Sequence, residues 1–113
     1  MSYRFYAKKG VDVLCCDGDL SAEEMIRMKD RLSRLMSKQH RKVLLNLASA
    51  RRVEFAGLGM LVERVMKVRA QRGDIRLCGM QPEVVQTFER VGANRLMQNY
   101  STEEEALQSF ATA

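Results

Sequence analysis

Three cysteines, Cys15, Cys16 and Cys78, and one histidine, His40, are the side chains of this sequence best suited to nucleophilic, redox or metal chemistry. Their spacing favours none of it. Cys15 and Cys16 are neighbours, which on a strand point to opposite faces, and no Cys-x-x-Cys pair or histidine cluster completes a zinc site. The expectation is three reduced, buried thiols acting as small apolar residues. His40 stands beside Arg41 and Lys42 with no acidic or cysteine neighbour, which reads as a solvated loop residue. No serine or cysteine then has an activating base. Gly57-Leu58-Gly59 could open a helix onto a phosphate, but Val62 holds the last glycine position of G-x-G-x-x-G and no Gly-Lys-Ser/Thr follows. Glu103, Glu104 and Glu105 fall in the first turn of a predicted helix, where the dipole favours carboxylates without any catalytic task. The chain is read as a non-enzyme that needs no metal and no cofactor.

The elements that must position these residues are legible in the periodicity. Tyr3 to Ala7 and Val11 to Cys16 read as strands of a hairpin around Lys8-Lys9-Gly10. Ser21-x-x-Glu24 is a capping box, followed at helical spacing by Met25, Met28, Leu32, Leu35 and Met36. Val43, Leu44, Leu45 and Leu47 form the short apolar run of a strand buried on both faces. Arg51 to Ala56 leads into a second helix beginning near Gly57, with Leu58, Leu61, Val62, Val65 and Val68 inward and Gly73 as its C′ glycine. Ile75, Leu77 and Cys78 make the next strand. Pro82 starts a helix with Val85, Phe88 and Val91 inward, and a short strand at Leu96 to Gln98 precedes a capping box at Ser101-x-x-Glu104 with Leu107 and Phe110 inside. The order ββαβαβαβα, about five strands and four helices, predicts an α/β fold with a mixed sheet that is parallel after the hairpin.

Length and composition agree with one domain over 1–113: 46% of residues are apolar and 29% charged. No apolar run reaches the roughly 18 residues of a membrane span, and MSYRFYAKKG has no signal-peptide core, so the expected location is the cytoplasm. The formal charge of +5 is unevenly spread, since residues 27–72 hold thirteen Lys/Arg against three Asp/Glu. Such a middle could favour nucleic acid or an acidic partner, yet the cations fall at helical spacing without interleaved aromatics, as on solvated helix faces. No specific nucleic acid is expected as a partner.

From Lys42 to Phe110 the chain resembles the STAS domain, named for sulphate transporters and anti-sigma factor antagonists. The resemblance rests on the buried strand, the Gly57-Leu58-Gly59 helix start, Gly73 about sixteen residues on before a strand, the segment "PEV…F…VGA…L", and the closing "STEEEAL". The segment GDLSAEE at Gly18 is shortened relative to the family. In the family the strand leads into a D-S-S-G-L-G pattern whose second serine is phosphorylated by an anti-sigma kinase. Glu54 matches the aspartate position, but Phe55 and Ala56 replace the two hydroxyl residues, and Ala56 has no oxygen to accept a phosphoryl group. The resemblance therefore implies a fold of the anti-sigma factor antagonist type with a degenerate phosphosite at Ala56.

It also implies a regulatory module that binds a protein through Glu54, Phe55, Ala56, Gly57, Leu58, Gly59, Met60, Glu63, Arg64 and Lys67. Met60 lies off the Leu58/Leu61/Val65 stripe, near Glu63, Arg64 and Lys67, where an adaptable outward methionine suits a contact. Phe55 reads equally as an apolar anchor on that surface or as a core side chain at the strand's end. The implied partner is a GHKL-type anti-sigma factor kinase or a larger signalling assembly, with a homodimer left open. The alternative is an accessory subunit that binds the ATPase of a membrane transporter complex without itself entering the membrane.

Overall fold

The structure, a computed structural model, describes residues 3–16 and 18–111, so residues 1, 2, 17, 112 and 113 of the expected domain lie outside it. The elements are β1 (Tyr3–Lys8), β2 (Val11–Cys16), α1 (Ala22–Ser37), β3 (Lys42–Asn46), α2 (Phe55–Ala70), β4 (Asp74–Cys78), α3 (Pro82–Arg90), a 3-10 turn (Ala93–Arg95), β5 (Asn99–Tyr100) and α4 (Glu103–Ala111). This is the expected order with one short turn added. The sheet runs β1-β2-β3-β4-β5, antiparallel between β1 and β2 and parallel thereafter. Lys9 and Gly10 connect the hairpin with φ of 55° and 77°, the sign a two-residue I′ turn requires at both positions.

All six residues of β2 are buried, because the strand is sandwiched between helices on both sides. Leu14 and Cys16 join Val43, Leu45, Ile75 and Leu77 in the core under α1, α2 and α3. Val11, Val13 and Cys15 join Leu44 and Cys78 under Ala106, Leu107 and Phe110 of α4. Cys15 and Cys16 thus enter different cores, as their adjacency requires.

The first helix follows its local signals. Ser21 is the N-cap, its Oγ accepting from Glu24 N–H at 3.1 Å, and Met25, Met28, Leu32, Leu35 and Met36 are buried. Only half of the capping box forms, since the Glu24 carboxylate turns to Arg27 at 2.9 Å.

Other boundaries differ from the sequence reading. Helix α2 starts at Phe55, two residues before Gly57. Its C-terminus is closed by Arg72 in the left-handed region at φ 67°, not by Gly73. Gly73 is needed for closeness instead: a methyl there would lie 2.9 Å from both Arg41 O and Val68 Cγ1. In α3 the inward pair is Val84 and Phe88, while Val91 is exposed. The last strand is Asn99–Tyr100 rather than Leu96–Gln98, and Thr102, not Ser101, caps α4 by accepting from Glu105 N–H at 3.1 Å.

Candidate functional site

The loop between β3 and α2 is stitched to the segment that precedes α1. Leu20 N–H donates to Arg52 O and Glu54 N–H donates to Leu20 O, each at 3.0 Å, so Leu20 and Val53 form a one-residue parallel bridge. Asp19 Oδ1 accepts from the backbone N–H of Arg51 at 3.2 Å and of Arg52 at 3.1 Å. Glu54 reaches the N-terminus of α1, its Oε1 accepting from Ala22 N–H at 3.4 Å. Gly57 is held where the two helix starts meet: a methyl group there would stand 2.7 Å from Leu20 O and 2.8 Å from Ser21 C. These contacts fix the start of α2 as a rigid platform.

Phe55 and Ala56 occupy the exposed rim of that platform. Phe55 is 68% exposed, which excludes the core role that the sequence left open for it. Beside it runs an apolar groove of about 320 Å³ lined by Phe55, Leu58, Gly59, Val62, Val91 and Leu96, with Gly92 and Ala93 completing it. Val91 and Leu96 are 48% and 40% exposed. Three of the large exposed apolar side chains of the described residues therefore meet in one place, at the start of α2. Ala56, the second residue of α2, presents only a methyl group there.

The ten residues expected to form one docking surface divide. Glu54, Phe55, Ala56, Gly59, Glu63 and Lys67 are exposed, whereas Gly57 and Leu58 are buried. Met60 is less outward than the stripe suggested: it is half-buried, with its side chain packed against the main core. Helix α2 packs along α1, so its covered arc is wider than the stripe suggests. Met66 is the exposed methionine of this helix. Arg64 and Lys67 face a different groove, shared with α1. Val91 and Leu96, by contrast, were missed as surface residues, because helical spacing placed Val91 inward and Leu96 was read as the start of a short strand.

The other side chains with chemical potential are committed to the fold. Burial pushes the Cys16 and Cys78 thiols up to about 12, helped by the nearby Glu24 carboxylate for Cys16 and by Glu103 for Cys78. Cys15 is also pushed up, again chiefly by burial. All three are free and buried, so little thiolate exists near neutral pH. Among the described residues no three His, Cys, Asp or Glu side chains come together as metal ligands.

His40 departs from its reading as a merely solvated residue. Its Nδ1 lies 2.9 Å from Oδ2 of the buried Asp12, so it supplies a partner that a carboxylate in the sheet needs. Glu103 is likewise structural, accepting from Asn46 Nδ2 at 3.1 Å and from the Tyr6 hydroxyl, and so tying α4 to β3 and β1. That carboxylate and burial push the Tyr6 hydroxyl well above its usual value, burial contributing most.

Comparison with known proteins gives a consistent picture. The family model described as the STAS domain matches residues 3–106. BtrV of Bordetella bronchiseptica, provisionally named an anti-sigma factor antagonist, is 25% identical over 104 residues, covering 92% of this chain and 90% of that protein. A Thermotoga maritima protein, also provisionally described as an anti-sigma factor antagonist, superposes with a TM-score of 0.86 over 95% of this chain and 92% of its own, at 18% identity. The anti-sigma factor antagonist SpoIIAA in its unphosphorylated form gives 0.81 over 99% and 98%, also at 18% identity. No helix among the described residues is long and apolar enough to cross a membrane.

Proposed function

Because the chain belongs to the STAS domain family, we propose that it is a non-catalytic docking module of the anti-sigma factor antagonist type whose protein partner seats on the start of α2. The observation that carries this reading is the open apolar groove of Phe55, Val91 and Leu96 beside Ala56. Scattered exposed apolar side chains need no explanation, but a cluster on a rigid platform suits a partner's apolar anchor. Phe55 is the natural centre of such a contact, since aromatic residues with little rotamer freedom dominate interface energies. Position 56 lacks a hydroxyl, so engagement is not gated by phosphoryl transfer at this residue. An anti-sigma factor kinase or a related signalling protein is the class of partner the family suggests.

The test is calorimetric titration against a partner recovered by affinity capture, with circular dichroism as the folding control. Phe55→Ala removes an exposed ring and should weaken binding about tenfold or more while leaving stability nearly unchanged. Ala56→Asp places a carboxylate where the interface would bury it without a counter-ion, which costs about 1–3 kcal/mol of affinity. The fold tolerates it, because an acidic residue in the first helical turn suits the dipole. Met60→Ala should alter stability more than binding, as its side chain packs inward. Unchanged affinity in both folded surface variants would place the interface elsewhere.

A further inference from the structure

A second groove, of about 620 Å³, runs between the C-terminal halves of α1 and α2, and its charge is one-sided. Its charged lining consists of Arg41, Arg64, Lys67 and Arg72, without a carboxylate; Ser33 adds a hydroxyl, while the Ser37 hydroxyl donates to Arg34 O at 2.8 Å. The helix dipole accounts for part of this, since Lys67 lies in the last turn of α2. It does not account for Arg64, nearly two turns before that end, or for Arg41 on the loop into β3.

Nor are these cations neutralised internally. Lys67 and Arg72 make no ion pair among the described residues. Arg64, whose side chain is only 12% exposed, has a single 3.4 Å contact with the solvent-facing Glu63. Arg41 is oriented by donating from Nη1 to Gln71 O at 2.8 Å, which leaves the rest of its guanidinium fork for another acceptor. Four cations that converge with one weak ion pair among them repel one another, and a bound anion would relieve that repulsion.

We propose that this groove binds a multiply charged phosphate chain. Guanidinium groups and hydroxyls match phosphate oxygens in geometry, and each phosphate group concentrates more charge than a carboxylate. The α1 wall, Leu32 to Ser37, is only about 8 Å long at 1.5 Å per residue, so an acidic peptide could present few carboxylates there. No aromatic residue lines the groove, so it offers no stacking platform for a base, and recognition rests on the phosphates. The site uses the half of α2 away from Ala56 and does not depend on the docking function proposed above.

The test is calorimetric titration of the full chain with inorganic tripolyphosphate at about 0.15 M salt, a condition that screens weak surface attraction. Saturable one-to-one binding with a submillimolar Kd is expected. Lys67→Gln/Arg72→Gln, both exposed positions, should weaken it about tenfold or more, and Arg64→Gln should weaken it similarly. Arg90→Gln/Arg95→Gln removes equal charge outside the groove and should leave affinity within about twofold, well short of the change expected in the groove variants. ATP is titrated in parallel. Equal affinity identifies the phosphate chain alone as the ligand, and tighter binding that is lost in Lys67→Gln/Arg72→Gln identifies a nucleotide as its source. No binding by the wild type, equal loss in the groove and control variants, or tighter binding of a glutamate-rich peptide than of tripolyphosphate would overturn the proposal.

Discussion

Gly57→Ala tests whether the close approach of the two helix starts is a requirement or a coincidence. The added methyl would lie 2.7 Å from Leu20 O, 2.8 Å from Ser21 C and 3.0 Å from Ser21 O, all of them backbone atoms. Leu20 cannot retreat freely, because its N–H and C=O are both engaged with the loop at 3.0 Å and its side chain is buried. Relieving the overlap therefore means overpacking, at about 1–3 kcal/mol, or losing a bridge hydrogen bond, at about 0.5–1.5 kcal/mol. Against this, alanine gains about 0.5–1 kcal/mol over glycine through helix propensity and a less flexible unfolded chain. Where the backbone holds and the methyl is overpacked, the net expectation is a loss of about 0.5–2 kcal/mol, or a fall in Tm of a few degrees for a domain of this size.

Gly59→Ala is the matched control. It is in the same helix, yet nothing lies within 4 Å of its added methyl, so it should gain about 0.5–1 kcal/mol. Urea denaturation followed by far-ultraviolet circular dichroism would place the two midpoints on opposite sides of the wild type. A Gly57→Ala protein as stable as the wild type would refute the reasoning, because the segment before α1 would then have moved aside at no cost.

The buried thiols make stability fall at alkaline pH. Cys16 and Cys78 are protonated in the folded state up to about 12, against 9.0 for an ordinary thiol, so the unfolded state binds fewer protons above pH 9. Their contribution is intact below that value and is lost as pH rises toward 12, at about 1.4 kcal/mol per pH unit per thiol. Cys78→Ala should remove one thiol's share of the slope of midpoint against pH, and an unchanged slope would contradict the assignment. Thr102→Ala should cost about 1 kcal/mol of stability by uncapping α4, while Ser101→Ala is nearly neutral, a ranking that thermal melts can reverse or uphold. Lys9→Asn should raise the melting temperature slightly, since asparagine tolerates the positive φ of the hairpin turn better than lysine, and a lowered value would count against the I′ geometry.

The parts of the fold that the sequence revealed are those decided within a few residues. Ser21 and the Met25/Met28/Leu32 stripe of α1 were legible because cap and period are local, and the apolar run at Val43 likewise announced a doubly covered strand. Where distant contacts decide, the pattern misled. Asn99–Tyr100 is a strand only because Leu77 and Cys78 of β4 lie beside it. Met60 is half-covered because its side chain packs against the main core, and His40 finds Asp12 across 28 positions of sequence. The exposed start of α2 was legible through its resemblance to a known pattern. The Val91 and Leu96 half of its groove required the structure, because those residues reach Phe55 only through tertiary packing.

The strand order has a consequence for what the molecule can bind. In α/β sheets whose order reverses, helices diverge to opposite faces at the reversal and leave a cleft beyond the strand ends, where small ligands usually sit. Here the spatial order β1-β2-β3-β4-β5 is the order of the chain, so successive crossovers step across the sheet in one direction and no reversal opens such a cleft. Helices α1 and α2 close against each other and leave only surface furrows. A sheet wound in this way presents its helix faces and loop rims, rather than a cleft at the strand ends, as the surfaces open to recognition.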